Sequence, residues 1–187
     1  MARLKRKIDD VLVSWKNSNN KMPMIIKGVR QVGKTNAIRN FGKEYYSTFI
    51  EINFALQPQF KTIFDDGFEV DSIVKNITVK MPEVELIPGD TLILFDEMQD
   101  CVSTATSLKS FREDGRYDVI CSGSLMGINY NEIESNSVGN KIDYVMHSLD
   151  FEEFLWALGY KSEQIDDLYQ HMIDLRPLSN TQYQVML

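Results

Sequence analysis

At 187 residues the chain has room for one domain and the beginning of a second. Its 43% hydrophobic, 25% charged and 11% aromatic content is enough for a core and excludes disorder, collagen and low complexity. The 27 acidic residues against 20 basic ones give a net charge of −7, the wrong sign for a domain that coats nucleic acid or an anionic membrane, so nucleic-acid binding through this segment is not expected.

The basic start Arg3-Leu4-Lys5-Arg6-Lys7 has the charge of a signal-peptide n-region, but Asp9 and Asp10 interrupt the apolar stretch that would have to follow. Leu4, Ile8, Val11, Leu12 and Trp15 share one face at helical spacing, which predicts an amphipathic helix over 3–17. A polar connection, 17–21, leads through Met22-Pro23 to the apolar run Met24-Ile25-Ile26, a first strand. After a glycine-containing loop, Ala37, Ile38 and Phe41 form one face of a helix, with Gly42 as its expected stop.

Strand two is expected at 48–53, a short helix at 58–64 with Phe60, Ile63 and Phe64 turned inward, and another helix on Val70, Ile73, Val74 and Ile77. Pro82, Pro88 and Gly89 punctuate the approach to Leu92-Ile93-Leu94-Phe95, a continuous apolar run of the kind covered on both faces in a parallel sheet. Leu108 and Phe111 mark a short helix before strand four at 117–121, and strand five is expected at 142–146. Asp150 with Glu153 has capping-box spacing. The helix it opens has Phe151, Phe154, Leu155 and Leu158 on its apolar face and Gly159 at its end, and Ser162, Ile165, Leu168 and Met172 suggest one more helix. No internal repeat is visible. Strands alternating with helices over 24–150 predict an α/β fold with a mainly parallel sheet. The expected division is a core at 1–150 and a helical extension, the start of a lid, at 151–187.

Gly28-Val29-Arg30-Gln31-Val32-Gly33-Lys34-Thr35 matches the phosphate-loop pattern G-x-x-x-x-G-K-[ST] between a strand and a helix. The glycines let backbone N–H groups curl around a phosphate at the positive end of the following helix. Gly28, Val29, Arg30, Gln31, Val32, Gly33, Lys34, Thr35 and Asn36 are therefore the candidate ATP-binding set. Lys34 is expected on the β/γ-phosphate oxygens and the Thr35 hydroxyl on Mg²⁺.

The run 92–95 ends in Asp96-Glu97, about 60 residues past the loop with one strand between. A strand brings Asp96 to the carboxyl edge of the sheet, where it is a second Mg²⁺ ligand. Glu97 is then free to polarise the attacking water. The intervening strand and the adjacent Glu point to the ATPase branch of P-loop proteins, in which the strand of the second motif is not next to the first strand, so a three-layer sandwich with five strands in the order 5-1-4-3-2 is expected. Strand four then lies between the two motifs, and a hydroxyl in Cys121-Ser122-Gly123-Ser124 faces the γ-phosphate. Ser124 is favoured over Ser122 as the catalytic serine, although a capping serine at a strand-to-helix turn has the same sequence.

The phosphate loop, Phe95-Asp96-Glu97-Met98-Gln99, Ser122-Gly123-Ser124 and Leu149-Asp150-Phe151-Glu152-Glu153-Phe154-Leu155 together resemble the prokaryotic ATP-binding proteins of the AAA superfamily that carry a C-terminal domain of unknown function. The resemblance covers nearly the whole chain. It implies an AAA-type ATPase core with ATP and Mg²⁺ as ligands, in proteins commonly about twice this length, so that this sequence is expected to be the N-terminal ATPase part of a longer one. Gly139-Asn140-Lys141 stands where relatives often place an arginine, and no Arg occurs from 117 to 175. Lys141, Arg112 and Arg116 are the substitutes within reach.

The remaining residues are less informative. His147 and His171 are too isolated to build a metal site. Cys121 is expected to be a packed small residue, Cys101 beside the acidic turn has a redox role as its alternative to packing, and Arg3, Lys5, Arg6 and Lys7 are expected on the wet face of the first helix. Gln99 has three open roles: orienting a water, coupling to a partner, or bracing its own loop. Two cysteines are too few for a disulfide scaffold, and no stretch approaches the roughly 18 apolar residues of a membrane span, so a cytoplasmic protein without a membrane partner is expected.

The leading expectation is Mg²⁺-dependent ATP hydrolysis coupled to conformational change, with ATP and ADP as ligands and self-association or a protein partner. The alternative is an ATP-gated binding or signalling module of low turnover, associated with DNA or a partner. A small-molecule kinase is disfavoured, because it would need lid arginines to clamp the transferred group.

Overall fold

The computed structural model describes residues 3–124 and 130–180. Its centre is a sheet of five parallel strands, β1 (Met24–Lys27), β2 (Thr48–Asn53), β3 (Thr91–Asp96), β4 (Asp118–Gly123) and β5 (Ile142–Val145). They lie in the order β2-β3-β4-β1-β5, the order expected from the two motifs. Parallel pairing requires crossovers on the faces, and the two-residue period of the strands divides their side chains between those faces. Ile25, Ile50, Ile52, Ile93, Phe95, Val119 and Cys121 enter one core, which is closed by the 3₁₀ segment Pro58–Phe64, α3 (Val70–Lys80) and α4 (Ser103–Asp114). Met24, Ile26, Leu92, Leu94 and Ile120 enter the other, closed by α1 (Lys7–Lys16) and α2 (Lys34–Tyr45). All six residues of β3 are buried, which is why its sequence runs apolar without alternation.

Gly42 does not stop its helix. α2 continues to Tyr45, and a Cβ at position 42 would stand 2.3 Å from the Phe49 ring, so glycine is there to let α2 approach β2. The segment expected as a short helix around Leu108 is the 12-residue α4, ended by Gly115 in the left-handed region at φ 69°. A further helix, α5 (Tyr130–Ser137), was not predicted from its polar sequence; Ile133 is its buried anchor.

Ile8–His147 form one compact unit, and the segment ending at Lys7 with that starting at Ser148 forms a second. In the second unit α6 (Phe151–Ala157) opens with the expected capping box: Asp150 accepts from the Glu153 amide and Glu153 accepts from the Asp150 amide. Of the apolar face predicted for α6, only Leu155 is buried, while Phe151, Phe154 and Leu158 are exposed. Glu153 is buried as well, its carboxylate accepting from the Lys7 amide at 2.8 Å and pairing with Arg6 at 3.0 Å. Lys7 pairs with Asp150 and Glu152, each at 2.7 Å, and Lys5 lies over the Trp156 ring. The basic start is thus drawn to α6 rather than spread along the wet face of α1, which begins only at Lys7. A last helix, α7 (Ser162–Ile173), follows; residues 181–187 of the expected extension lie outside the described residues.

The backbone N–H of Glu153, with help from Lys7, holds the Asp150 carboxyl below its ordinary range. A depressed carboxyl stabilises the folded form at pH above its unfolded value and loses that contribution as pH falls through the folded one. Asp150→Ala is expected to cost about 0.5–2 kcal/mol of stability at neutral pH, the worth of an N-cap, and to lose its effect in strong acid. Thermal unfolding followed by circular dichroism at pH 7 and pH 2 checks both.

Candidate functional site

The register of the sheet sets the site. Lys27, the last residue of β1, pairs with Gly123 and Val145, and Asn53, the last of β2, pairs with Asp96, the last of β3. All five strands therefore finish at one edge, the carboxyl edge at which open α/β sheets bind ligands. The phosphate-loop sequence leaves β1 there and enters α2 at Lys34.

Two residues of the loop have left-handed backbones, Gln31 at φ 66° and Gly33 at φ 97°. Left-handed residues curl a short loop into a concave array of N–H groups. Gly28 is needed for space, since a Cβ would meet the Met146 carbonyl oxygen at 2.3 Å. Val32 turns its side chain into the core, leaving its backbone to the loop, and Val29 points outward. Lys34 is buried, its ammonium donating to the Gly28 and Val29 carbonyls at 2.9 Å each. Burial pushes that ammonium below its ordinary pKa, against the pull of Glu97 and Asp96.

Asp96 is also buried. Its carboxylate accepts from the Thr35 hydroxyl at 3.2 Å to each oxygen, from Asn53 Nδ2 at 2.9 Å, and from the Ser122 hydroxyl. All these donors are neutral. Among the described residues no lysine or arginine forms an ion pair with Asp96, and a buried carboxylate without a cation is costly. The donor set at this point, one hydroxyl and one carboxylate, is hard oxygen and suits Mg²⁺, which is usually held by one or two carboxylates together with phosphate oxygens and water. Among the described residues no group of three His, Cys, Asp or Glu side chains forms a metal cage.

Glu97 follows in a strained, left-handed conformation at φ 53° that turns the chain off the strand. Gln99 donates to its Oε2. A cavity of about 470 Å³ lies over this edge. Of the residues anticipated from the sequence, it brings together Arg30, Gln31, Gly33, Lys34, Thr35, Asn36, Asp96 and Glu97. Gly28, Val29, Val32 and Ser124 do not line it.

Three features of the site lie outside the residues anticipated from the sequence. Asn53 reaches Asp96 across the sheet; as the polar last residue of a predicted strand adjacent to β3, it carried a usable signal. The serine that touches Asp96 is Ser122, buried within β4, whereas Ser124 lies half-buried beyond the strand. The two serines share a parity, so only the end of the strand at Gly123 decides between them. Arg39, one helical turn after Thr35, also lines the cavity and forks onto Glu51 of β2 with bonds of 2.5 and 2.6 Å.

The basic residues weighed as substitutes for a missing arginine are engaged elsewhere. Lys141 is half-buried and binds Glu134 and Asp143, Arg112 donates to the Gly139 carbonyl, and Arg116 pairs with Asp114 and Asp71. Both cysteines are free and buried, and burial pushes both thiols up, away from reactivity.

A family model described as an AAA domain matches residues 20–155, a span that runs from before the phosphate loop to the middle of α6. The chain belongs to this family. AAA domains are P-loop ATPases in general, and the strand order and loop geometry described above agree with that membership. No curated protein matches the sequence. The solved structure of C. elegans PCH-2 aligns over 94% of this chain with a TM-score of 0.46 and 15% identity, and the AAA chain described here spans 49% of that one. No helix among the described residues is long and apolar enough to cross a membrane.

Proposed function

We propose that this AAA domain binds ATP with Mg²⁺ and hydrolyses it to ADP and phosphate, and that the cycle drives a conformational change read by a protein partner or a second copy. The observation that carries the reading is the buried Asp96 carboxylate, held among the described residues by neutral donors and bonded to the hydroxyl of Thr35 at the start of α2. In this reading the loop 28–36 wraps the phosphates through its amides, and the Lys34 ammonium exchanges the Gly28 and Val29 carbonyls for β/γ-phosphate oxygens. Thr35 and Asp96 would hold Mg²⁺, which when bound supplies charge neutralisation on the phosphates.

Glu97 takes the role of general base. The water oxygen attacks the γ-phosphorus, the bond to the β–γ bridging oxygen breaks with its electron pair leaving on ADP, and the water proton passes to a Glu97 oxygen and on to solvent. Ser122, donating to Asp96, or Ser124 beyond it would report on the γ-phosphate. We assign residues 1–150 to the ATPase core and 151–187 to a helical extension. The two free, buried thiols support a reducing compartment such as the cytoplasm.

Chelation tests the reading. Phosphate release from ATP is expected to fall to background in EDTA and to return with excess Mg²⁺; release that ignores EDTA contradicts it. A second reading, an ATP-gated module of low turnover, is supported by one observation: Arg112, Arg116 and Lys141 are all committed to partners in their own chain. Single-turnover hydrolysis measured across a range of protein concentrations separates the two.

A further inference from the structure

Gln99 sits in the one-turn 3₁₀ segment Met98–Asp100 that follows Glu97. Its amide Nε2 donates to Glu97 Oε2, and its other end is wedged against the tip of β4. A Cβ at Gly123 would stand 2.8 Å from Gln99 Oε1 and 3.4 Å from Met98 Cγ. Gly123 is not among the left-handed glycines, so what position 123 provides is space rather than backbone freedom. Gln99 Oε1 is out of reach of solvent. The side chain thus spans from the strand tip that carries Ser122 to the carboxylate next to Asp96.

The turn beneath it is fixed, with Asp100 N donating to the Glu97 carbonyl and Cys101 N to the Met98 carbonyl, each at 3.0 Å. The Glu97 side chain still has three rotatable bonds, and its left-handed backbone restricts the first of them without fixing where the carboxylate points. A donor on Oε2 selects one, and it leaves Oε1 open to accept a proton from water.

We propose that Gln99 is a positioning residue for hydrolysis, fixing the Glu97 carboxylate toward the attacking water, with Gly123 as the seat that lets it do so. This rests on the hydrolytic reading above. A simple brace for the loop would depend on the shape of residue 99; positioning depends on its N–H donor. Gln99→Glu keeps the shape, removes the donor and sets a carboxylate against a carboxylate. Gln99→Ala removes both shape and donor.

Both variants are expected to lower kcat about 10- to 100-fold, the worth of one hydrogen bond to a charged group, with Gln99→Glu at least as impaired as Gln99→Ala. Calorimetry should find Mg·ATP binding within about twofold of wild type in both. Gly123→Ala, which needs no unusual backbone, displaces the amide and should lower kcat alike, yet cost nothing further in the Gln99→Ala background. In a Glu97→Gln background, single-turnover rates should be indifferent to residue 99, because coupled residues are not additive.

Wild-type turnover in Gln99→Glu overturns the proposal in favour of a brace. Losses that add in the Glu97→Gln background overturn it too, by showing that Gln99 acts through something other than Glu97. Failure of the wild-type chain to turn over ATP overturns the hydrolytic reading, and the role of Gln99 falls with it.

Discussion

Lys34→Ala is expected to weaken Mg·ATP binding by about 3–5 kcal/mol, roughly 150- to 5,000-fold in Kd, the worth of two charge-assisted hydrogen bonds. The lysine is already buried at the root of the loop, its ammonium on the Gly28 and Val29 carbonyls and its pKa pressed down by lost hydration. A phosphate dianion replaces two neutral carbonyls with charged oxygens and restores what burial took away. In the free protein the substitution removes the donor from the Gly28 and Val29 carbonyls, so the fold has to be checked alongside the affinity. Titration calorimetry gives the affinity, and a thermal melt shows whether the fold persists. Retained binding in a folded Lys34→Ala protein would mean that the loop does not hold the phosphates.

The second large effect is in turnover. Glu97→Gln keeps size and hydrogen-bonding capacity but cannot take a proton, so kcat should drop by the 10²- to 10⁴-fold typical of a lost general base, with affinity for Mg·ATP retained. The geometry makes the distinction sharp. Asp96 is buried and oriented by Thr35, Asn53 and Ser122, whereas Glu97 stands beyond the strand on a left-handed residue, and both line the open cavity. One carboxylate is placed to hold the metal and the other to take the proton. Phosphate release at saturating ATP checks the prediction, and unchanged hydrolysis would remove Glu97 from the chemistry.

Much of this was legible in the sequence because the strongest signals are local. A glycine-lysine-threonine loop between a strand and a helix, and an unbroken apolar strand ending in Asp-Glu, carried the strand order through the requirement that one strand separate them. The two-faced burial of β3 could be read from Leu92 to Phe95 alone. What escaped depends on distance in sequence. Asn53 meets Asp96 only through sheet register, and Ser122 was passed over for Ser124 because a shift of two residues in where β4 ends decides which hydroxyl is on the carboxylate. Gly42 resembled a helix stop because a glycine required for close approach to Phe49 and a glycine required for a turn are the same letter. The basic start was assigned to the surface of α1, since nothing local reveals that Arg6 and Lys7 answer the acids of α6 some 140 residues later.

The central claim is that the loop from Gly28 to Asn36 wraps a triphosphate whose metal faces Asp96. Its most direct test is a crystal structure with Mn²⁺ and a non-hydrolysable ATP analogue, using anomalous scattering to locate the metal. The account predicts one Mn²⁺ peak between the Thr35 hydroxyl and Asp96, at about the 2.0–2.3 Å of a hard-cation ligand or one water further, with the γ-phosphate toward Glu97. Nucleotide bound with its metal away from Asp96, or no nucleotide over the loop at saturating concentration, would contradict it.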